Sequence, residues 1–437
     1  MRMLGKVFLL AGMMTLALWM SAAAQGELVL GDERFDVYLP ELEGKRVALF
    51  SNQSGIVGNR VIDAAKPGST MDPTLIPFGR DAEGKDVVYG EHILDALIDR
   101  GVQVTAVFCP EHGFRNMSDA GARVNDSVDE KTGVPLLSLF SGDTDYPSEE
   151  DMQAFDVLLI DIQDVGVRFY TYWLSVSYLM DACAWHGKKV ILLDRPNPNG
   201  FCLDGPILEE RFASGVGKYP LPMAYGMTLG ELAGMINGEG WLRAGKDACD
   251  LTVIPCLNYT HQTRASLITA PSPNLKDMRA IYLYPSICLF ENTSVSVGRG
   301  TQMPFEIYGS PLFEGNEDYP FSFVPESMPG ASDPPMRGQT CFGRDLRQKP
   351  VEEIFAEGIQ LDYLIDAYHA VKEVFPEVSF FGRRDKQGRY WIDKLCGTDK
   401  VRLMIEDGYT SEEIRATWAD GLEEFRKIRS QYLLYAD

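Results

Sequence analysis

The chain has 437 residues, with 63 acidic against 41 basic side chains and a formal net charge of −22 at neutral pH. A surface of that sign repels nucleic acid and anionic membranes, and no basic block overrides it, so a nucleic-acid partner is excluded. Hydrophobic residues make up 45% of the chain and aromatics 11%, enough for large cores, which excludes an intrinsically disordered chain.

Arg2 and Lys6 precede an apolar run from Val7 to Met20, and Ala22 and Ala24 fit an export-peptidase site. This pattern predicts a cleaved signal peptide over residues 1–24 and a mature protein that is periplasmic or secreted. No later segment is long and apolar enough to span a bilayer. The remainder has the length of two domains or more.

The first half alternates strand and helix. Lys45–Phe50 predicts a strand running into Ser51-Asn52-Gln53-Ser54-Gly55, and residues 64–90, rich in Pro, Gly and Asp, predict an inserted loop. Glu91–Arg100 reads as a short amphipathic helix, stopped by Gly101. The strand 102–109 ends at Pro110, with Glu111, His112 and Gly113 directly after it. Pro135–Phe140 is a third strand, and Asp156–Ile162 a fourth, leading into Gln163 and Asp164. A largely apolar helix over Tyr170–His186 stops at Gly187, and the strand Lys189–Leu193 delivers Asp194 and Arg195. This order predicts an α/β fold, a parallel sheet with helices on both faces.

The second half is organised differently. Thr228 and Glu231 form a capping box for a helix through Asn237. Leu251–Cys256 predicts a strand, APSPN (270–274) a junction, and Ile281–Phe290 a further apolar run with Cys288 inside a strand. The loop ENTSVSVGRGT (291–301) carries Glu291, Ser296, Arg299 and Thr301 beside Gly298 and Gly300. From Pro350 onward helices dominate. Thr410 and Glu413 cap a long last helix to Tyr432, whose Trp418, Phe425 and Tyr432 recur at core-packing spacing.

Cofactor and metal motifs are missing from the sequence. There is no C-x-x-C among the eight cysteines and no H-x-x-x-H among the five histidines, which predicts no metal. Cys249 with Cys256, or Cys341 with Cys396, could pair, and spacing does not decide it. No G-x-G-x-x-G or G-x-x-x-x-G-K-[ST] follows a strand, so no nucleotide cofactor is expected. No G-x-S-x-G elbow supports a serine hydrolase.

Polar groups gather where the strands end: Asn52 and Gln53, Glu111 and His112, Gln163 and Asp164, Asp194 and Arg195. In open α/β sheets ligands bind beyond the carboxyl ends of the strands, so these residues line a candidate crevice. Glu111, flanked by Pro110 and Phe114, suits a general acid with a raised pKa. His112 is the adjacent proton-handling group. Asp164 or Asp161 is the second carboxylate. Alternation puts Asp161 and Gln163 on one face of the strand and leaves Asp164 at its end.

The motifs NQSG (52–55), PEHGFR (110–115), DIQDVGVRFYTY (161–172), LDRPNPNG (193–200), GMTLGELA (226–233), PSPN (271–274), YPSICLFENTSVSVGRGTQMPFE (284–306) and LLY (433–435) occur in unbroken order. Together they resemble the bacterial exo-β-N-acetylmuramidases, a family once classed as a domain of unknown function. Departures from the usual family pattern include Asn116 after Phe-Arg, Tyr225 before Gly-Met-Thr where His is frequent, and Phe140-Ser141-Gly142 in place of Tyr-Gly.

The resemblance implies a Rossmann-like amino-terminal domain (25–265) packed on a smaller carboxy-terminal α/β domain (266–437), with the site in the interdomain cleft. It implies release of N-acetylmuramic acid from the non-reducing end of peptidoglycan fragments, by carboxylate chemistry. The lactyl carboxylate of that sugar calls for a cation, with Arg168, Arg195 and Arg299 as candidates. Tyr170 and Tyr172 either pack on the sugar or merely start a helix. The rival reading is a non-catalytic cell-envelope protein that captures muropeptides or another glycan.

Overall fold

A computed structural model describes residues 26–59, 73–80, 90–110, 114, 127–139 and 146–437. The predicted signal peptide, most of the inserted loop, and Glu111 and His112 lie outside the described residues. The strands in chain order are β1 (Arg46–Ser51), β2 (Gln103–Cys109), β3 (Ser127–Val128), β4 (Pro135–Ser138), β5 (Val157–Asp161), β6 (Lys189–Leu193), β7 (Leu203–Asp204), β8 (Ala224–Tyr225), β9 (Asp250–Ile254), β10 (Ile307–Ser310), β11 (Phe321–Phe323) and β12 (Cys341–Asp345).

Seven of them form one sheet in the order β3-β4-β2-β1-β5-β6-β9. Every pairing in it is parallel except that of the short edge strand β3 with β4. The central strands read as continuous apolar runs because both of their faces are covered. Successive side chains point to opposite faces. Ala48, Phe50, Leu158, Ile160, Val190 and Leu192 accordingly pack on the side of the helices Tyr172–Trp185 and Leu229–Gly238. Val47, Leu49, Leu159, Ile191 and Leu193 join a second core with Tyr38, Ile93 and Leu97 on the other. The remaining strands make an antiparallel sheet, β10-β12-β11, and the small ribbon β7-β8. The parallel α/β expectation holds, with a smaller carboxy-terminal region beside it.

One expected element changes type and another is divided. Ile281–Phe290 belongs to a helix, Met278–Ile287, and a short 3-10 turn, Cys288–Phe290. Every residue of that helix is buried, and a segment buried all round has no face whose period separates helix from strand. Asp277 opens it by accepting the amide of Ala280 at 2.9 Å. The long last helix is two helices, Ser411–Ala416 and Ala419–Arg429. Thr410 and Glu413 do form the expected capping box, and Trp418 and Phe425 are buried at the break and beyond it.

All eight cysteines are buried and free, so neither pairing left open by the sequence forms. They pack instead as small apolar side chains. No helix among the described residues is long and apolar enough to cross a membrane. Among the same residues no cluster of three or more His, Cys, Asp or Glu is placed to hold a metal ion.

Candidate active site

From β1 the chain crosses to β2 on one side, whereas from β5 it continues to β6 on the other. The carboxyl ends of β1 and β5 therefore meet at a topological switch point, where a crevice opens in such sheets. The loop after β1 is tied down internally. Asn52 Oδ1 accepts from the amide and the hydroxyl of Ser54 (2.9 and 2.6 Å), and its Nδ2 donates to the Tyr172 hydroxyl at 3.0 Å. The loop after β5 leans on it, since the Gln163 amide donates to Ser54 Oγ at 3.1 Å. Gly166 turns this second loop at φ +75°, and a Cβ there would collide with the Asn197 side chain. Only glycine fits that position.

Asp164 is buried at the strand end. Its Oδ1 accepts from the Gly166 amide at 2.7 Å and from the Tyr225 hydroxyl in a close hydrogen bond. Its Oδ2 is buried with no hydrogen-bond partner among the described residues. Burial pushes the carboxyl up to about 6, against the pull of the Tyr225 and Gly166 donors. Two further buried oxygens, on the loops that follow β1 and β5, share this condition. Gln163 Nε2 donates to the carbonyls of Asp164 and Pro196, and Gln53 Nε2 to those of Ala270 and Pro271, while both side-chain carbonyl oxygens go unpaired among the described residues. A buried acceptor left unpaired costs about 1–3 kcal/mol, so these three oxygens at the ends of β1 and β5 suit water or a ligand rich in N–H and O–H donors. The hydroxyls and acetamide of an amino sugar are such donors.

The second half of the chain joins this edge. Tyr172 donates to the Pro271 carbonyl at 3.0 Å, and Lys276 reaches the Thr301 carbonyl at 3.0 Å. The ring of Tyr170 lies 4.8 Å from that of Tyr172 and 6.1 Å from that of Tyr284. Tyr284 in turn stands beside the Arg299–Glu291 pair, whose Nη2 to Oε1 distance is 2.7 Å. Phe114, just past Glu111 and His112, sets its ring edge-on to His92 at 4.8 Å. His92 Nε2 donates to the Asn52 carbonyl at 2.8 Å, since a carbonyl can only accept.

The chain matches the amino-terminal model of the exo-β-N-acetylmuramidase NamZ family over residues 85–279 and its carboxy-terminal model over 282–435. It is 33% identical over 413 residues to the peptidoglycan β-N-acetylmuramidase NamZ of Bacillus subtilis, across 91% of this chain and 89% of that protein. The chain belongs to the NamZ family. Two solved structures of DUF1343 family proteins from Bacteroides fragilis share its fold. One is 46% identical with a TM-score of 0.77 and covers 94% of this chain and 100% of its own. The other is 25% identical with a TM-score of 0.70 and covers 93% of this chain and 99% of its own.

In this family member the three expected arginines have different surroundings. Arg168 is fully buried and donates to the carbonyls of Pro206, Leu221 and Leu395. Burial pushes its guanidinium down to about 10, still charged at neutral pH. Arg195 grips Asp161 through Nε and Nη2 (2.7 and 2.8 Å) and reaches Asp32 at 2.8 Å. Burial disfavours the Arg195 charge, but Asp161 and Asp32 more than offset it and push the guanidinium up. Burial holds Asp32 itself up at about 7, despite Arg195. Asp161 thus sits in a buried ion network with Arg195 and Asp32. Arg299 is the partly open one, its side chain 21% exposed against 1% for Arg195.

Ser296 and Thr301 build the loop that carries Arg299. Ser296 Oγ accepts from the Gly298 amide at 3.2 Å, and Thr301 Oγ1 donates to the Gly298 carbonyl at 2.6 Å. Sequence reasoning missed Asp32 and the role of Tyr225. No local signal marks Asp32, which lies in the short 3-10 helix Gly31–Glu33, and Tyr225 lies on a two-residue strand too short for any period.

Proposed function

We propose that this protein is an exo-acting glycoside hydrolase that releases N-acetylmuramic acid from the non-reducing ends of peptidoglycan fragments. Membership of the NamZ family supports the substrate class, and the half-satisfied Asp164 is the observation that supports the chemistry. In this reading Glu111 protonates the leaving glycosidic oxygen. Asp164, ionised above about pH 6, acts on the sugar or on the attacking water through Oδ2, which has no partner among the described residues. Gln53 and Gln163 accept from sugar hydroxyls or the acetamide, with Asn52, Tyr170 and Tyr172 shaping the same edge and His112 beside the acid. Arg299 receives the lactyl carboxylate, with Glu291 holding its guanidinium from one side. Residues 1–24 direct export, which places the enzyme in the periplasm or outside the cell, where its substrate is.

Incubating the purified protein with a chromogenic N-acetylmuraminide and with peptidoglycan fragments tests the reading. Free N-acetylmuramic acid is expected as the first product, and EDTA is expected to leave the rate unchanged. Larger oligosaccharides appearing first would show an endo-acting enzyme, and binding without turnover would show a capture protein.

A further inference from the structure

We infer that segment 429–437, which carries the Leu433-Leu434-Tyr435 motif, is a positioning element of the active site that acts on Asp164 through Tyr225. The inference rests on the proposed placement of Asp164 in the reaction. Tyr225 is fully buried and donates to Asp164 Oδ1. Its strand β8 is anchored on one side by β7, through the Leu203–Tyr225 register. On the other side the Tyr225 amide donates to the Gly166 carbonyl at 3.3 Å, within the loop that carries Asp164.

The backbone just beyond Tyr225 is held from the far end of the chain. The Gly226 carbonyl accepts from Arg429 Nε and Nη2 at 2.9 and 2.5 Å, and Asp437 holds the same guanidinium at 2.6 and 2.9 Å. Two residues further on, the Thr228 hydroxyl donates to Asp194 Oδ2 at 2.7 Å, and the Tyr435 hydroxyl donates to the same oxygen at 2.6 Å. Tyr435 is locked in turn by the Cys256 amide, which donates to its hydroxyl at 2.8 Å. Glu231 Oε1 accepts from the amides of Leu434 and Tyr435 (2.8 and 3.2 Å), and His261 spans Glu231 Oε2 and the Ala436 carbonyl (2.8 and 3.0 Å). Segment 226–231 is therefore clamped at both ends by residues 429–437. The Tyr225 hydroxyl is aimed by that clamp.

Among the described residues, the titratable groups facing Asp164 are Tyr225 from β8 and Tyr170 from the turn before helix Tyr172–Trp185; the amides of Val165, Gly166 and Trp173 also face it. Of these, the Tyr225 donor is the one whose aim depends on segment 429–437. Misaiming it weakens a hydrogen bond to the charged form and raises the carboxyl pKa further.

The test is the pH profile of kcat/KM on an N-acetylmuraminide for the parent, Tyr225→Phe, Tyr435→Phe, Arg429→Met and Arg429→Lys. The acid limb is expected to move up by about one pH unit in Tyr225→Phe, which loses the donor outright, and by a smaller amount in the same direction in Tyr435→Phe and Arg429→Met. Arg429→Lys keeps a donor for the Gly226 carbonyl and is expected to restore most of the Arg429→Met shift. Titrating the Asp164 carboxyl by NMR in isotope-labelled protein, assigned by its loss in Asp164→Asn, reads the same shifts without substrate. That arm separates the inference from the proposed activity: a parent that hydrolyses nothing defeats the activity, while the carboxyl titration still decides the relay. Parental acid limbs and carboxyl titrations in the Tyr435 and Arg429 variants, with only the melting temperature lowered, would overturn it.

Discussion

Asp161 and Asp164 stand three residues apart at the end of the same strand, both buried, yet their surroundings are opposite. Asp161 has both oxygens on Arg195, with Asp32 as a second acid on the same cation. Asp164 has one oxygen held by neutral donors and the other unpaired among the described residues, and its carboxyl sits at about 6. A buried carboxylate matched to a guanidinium is spent on structure, because moving its proton or charge would strand the partner. One that is incompletely satisfied keeps lone pairs and a near-neutral pKa for chemistry. Arg195 and Arg299 are each paired with a carboxylate and differ instead in exposure, 1% against 21% of the side chain.

Exchanging one oxygen for an amide at each position tests this contrast most severely. Asp164→Asn is expected to fold normally and lose about 10²–10⁴-fold in kcat/KM, as is Glu111→Gln at the acid. Asp161→Asn is expected instead to destabilise the fold by about 3–5 kcal/mol, since it leaves Arg195 short of a counter-charge. Denaturant titrations and steady-state rates on all three read the difference. A stable, inactive Asp161→Asn beside a fully active Asp164→Asn would reverse the assignment.

A smaller effect lies in the pH dependence of stability. Burial raises Asp164, Asp194 and Asp277 to about 6, whereas an unfolded aspartate titrates near 4. Between those values these three groups hold protons in the folded chain that the unfolded chain has released, so their contribution to stability falls as pH rises through the window and is lost above it. Each full shift corresponds to about 2–3 kcal/mol. The unfolding free energy is therefore expected to be higher near pH 4 than above pH 7, and Asp164→Asn to flatten part of that slope. A variant slope equal to the parent's would show that Asp164 is already compensated, as Asp161 is.

The mildest test concerns the arginines. Arg299→Ala is expected to weaken kcat/KM on N-acetylmuraminides by about 1.5–3 kcal/mol more than on N-acetylglucosaminides, which lack the lactyl carboxylate. Equal losses on both sugars would place Arg299 with Arg195, as a structural partner of Glu291.

The parallel sheet was legible in the sequence because its strands are short apolar runs, bounded by turns and separated by helices. Lys189–Leu193 is found where the pattern puts it, and Thr228 and Glu231 cap the helix the sequence marks. The apolar run over Ile281–Phe290 was not legible as a helix, since burial on every side erases the period. Asn52, Gln53, Gln163 and Asp164 could be placed at strand ends from sequence, because strand order and chain direction alone put them there.

By itself the sequence determined the α/β alternation, the family and the edge of the sheet that gathers acids and amides. Only the tertiary structure decided which acid is matched to an arginine, what each arginine engages and which oxygens lack a partner among the described residues. Those outcomes depend on partners far apart in the chain: Arg195 on Asp32, Asp164 on Tyr225, Asp194 on Tyr435. Local propensity and periodicity reach only a few residues, whereas the charge state and reactivity of a buried group are set by whatever the fold packs against it.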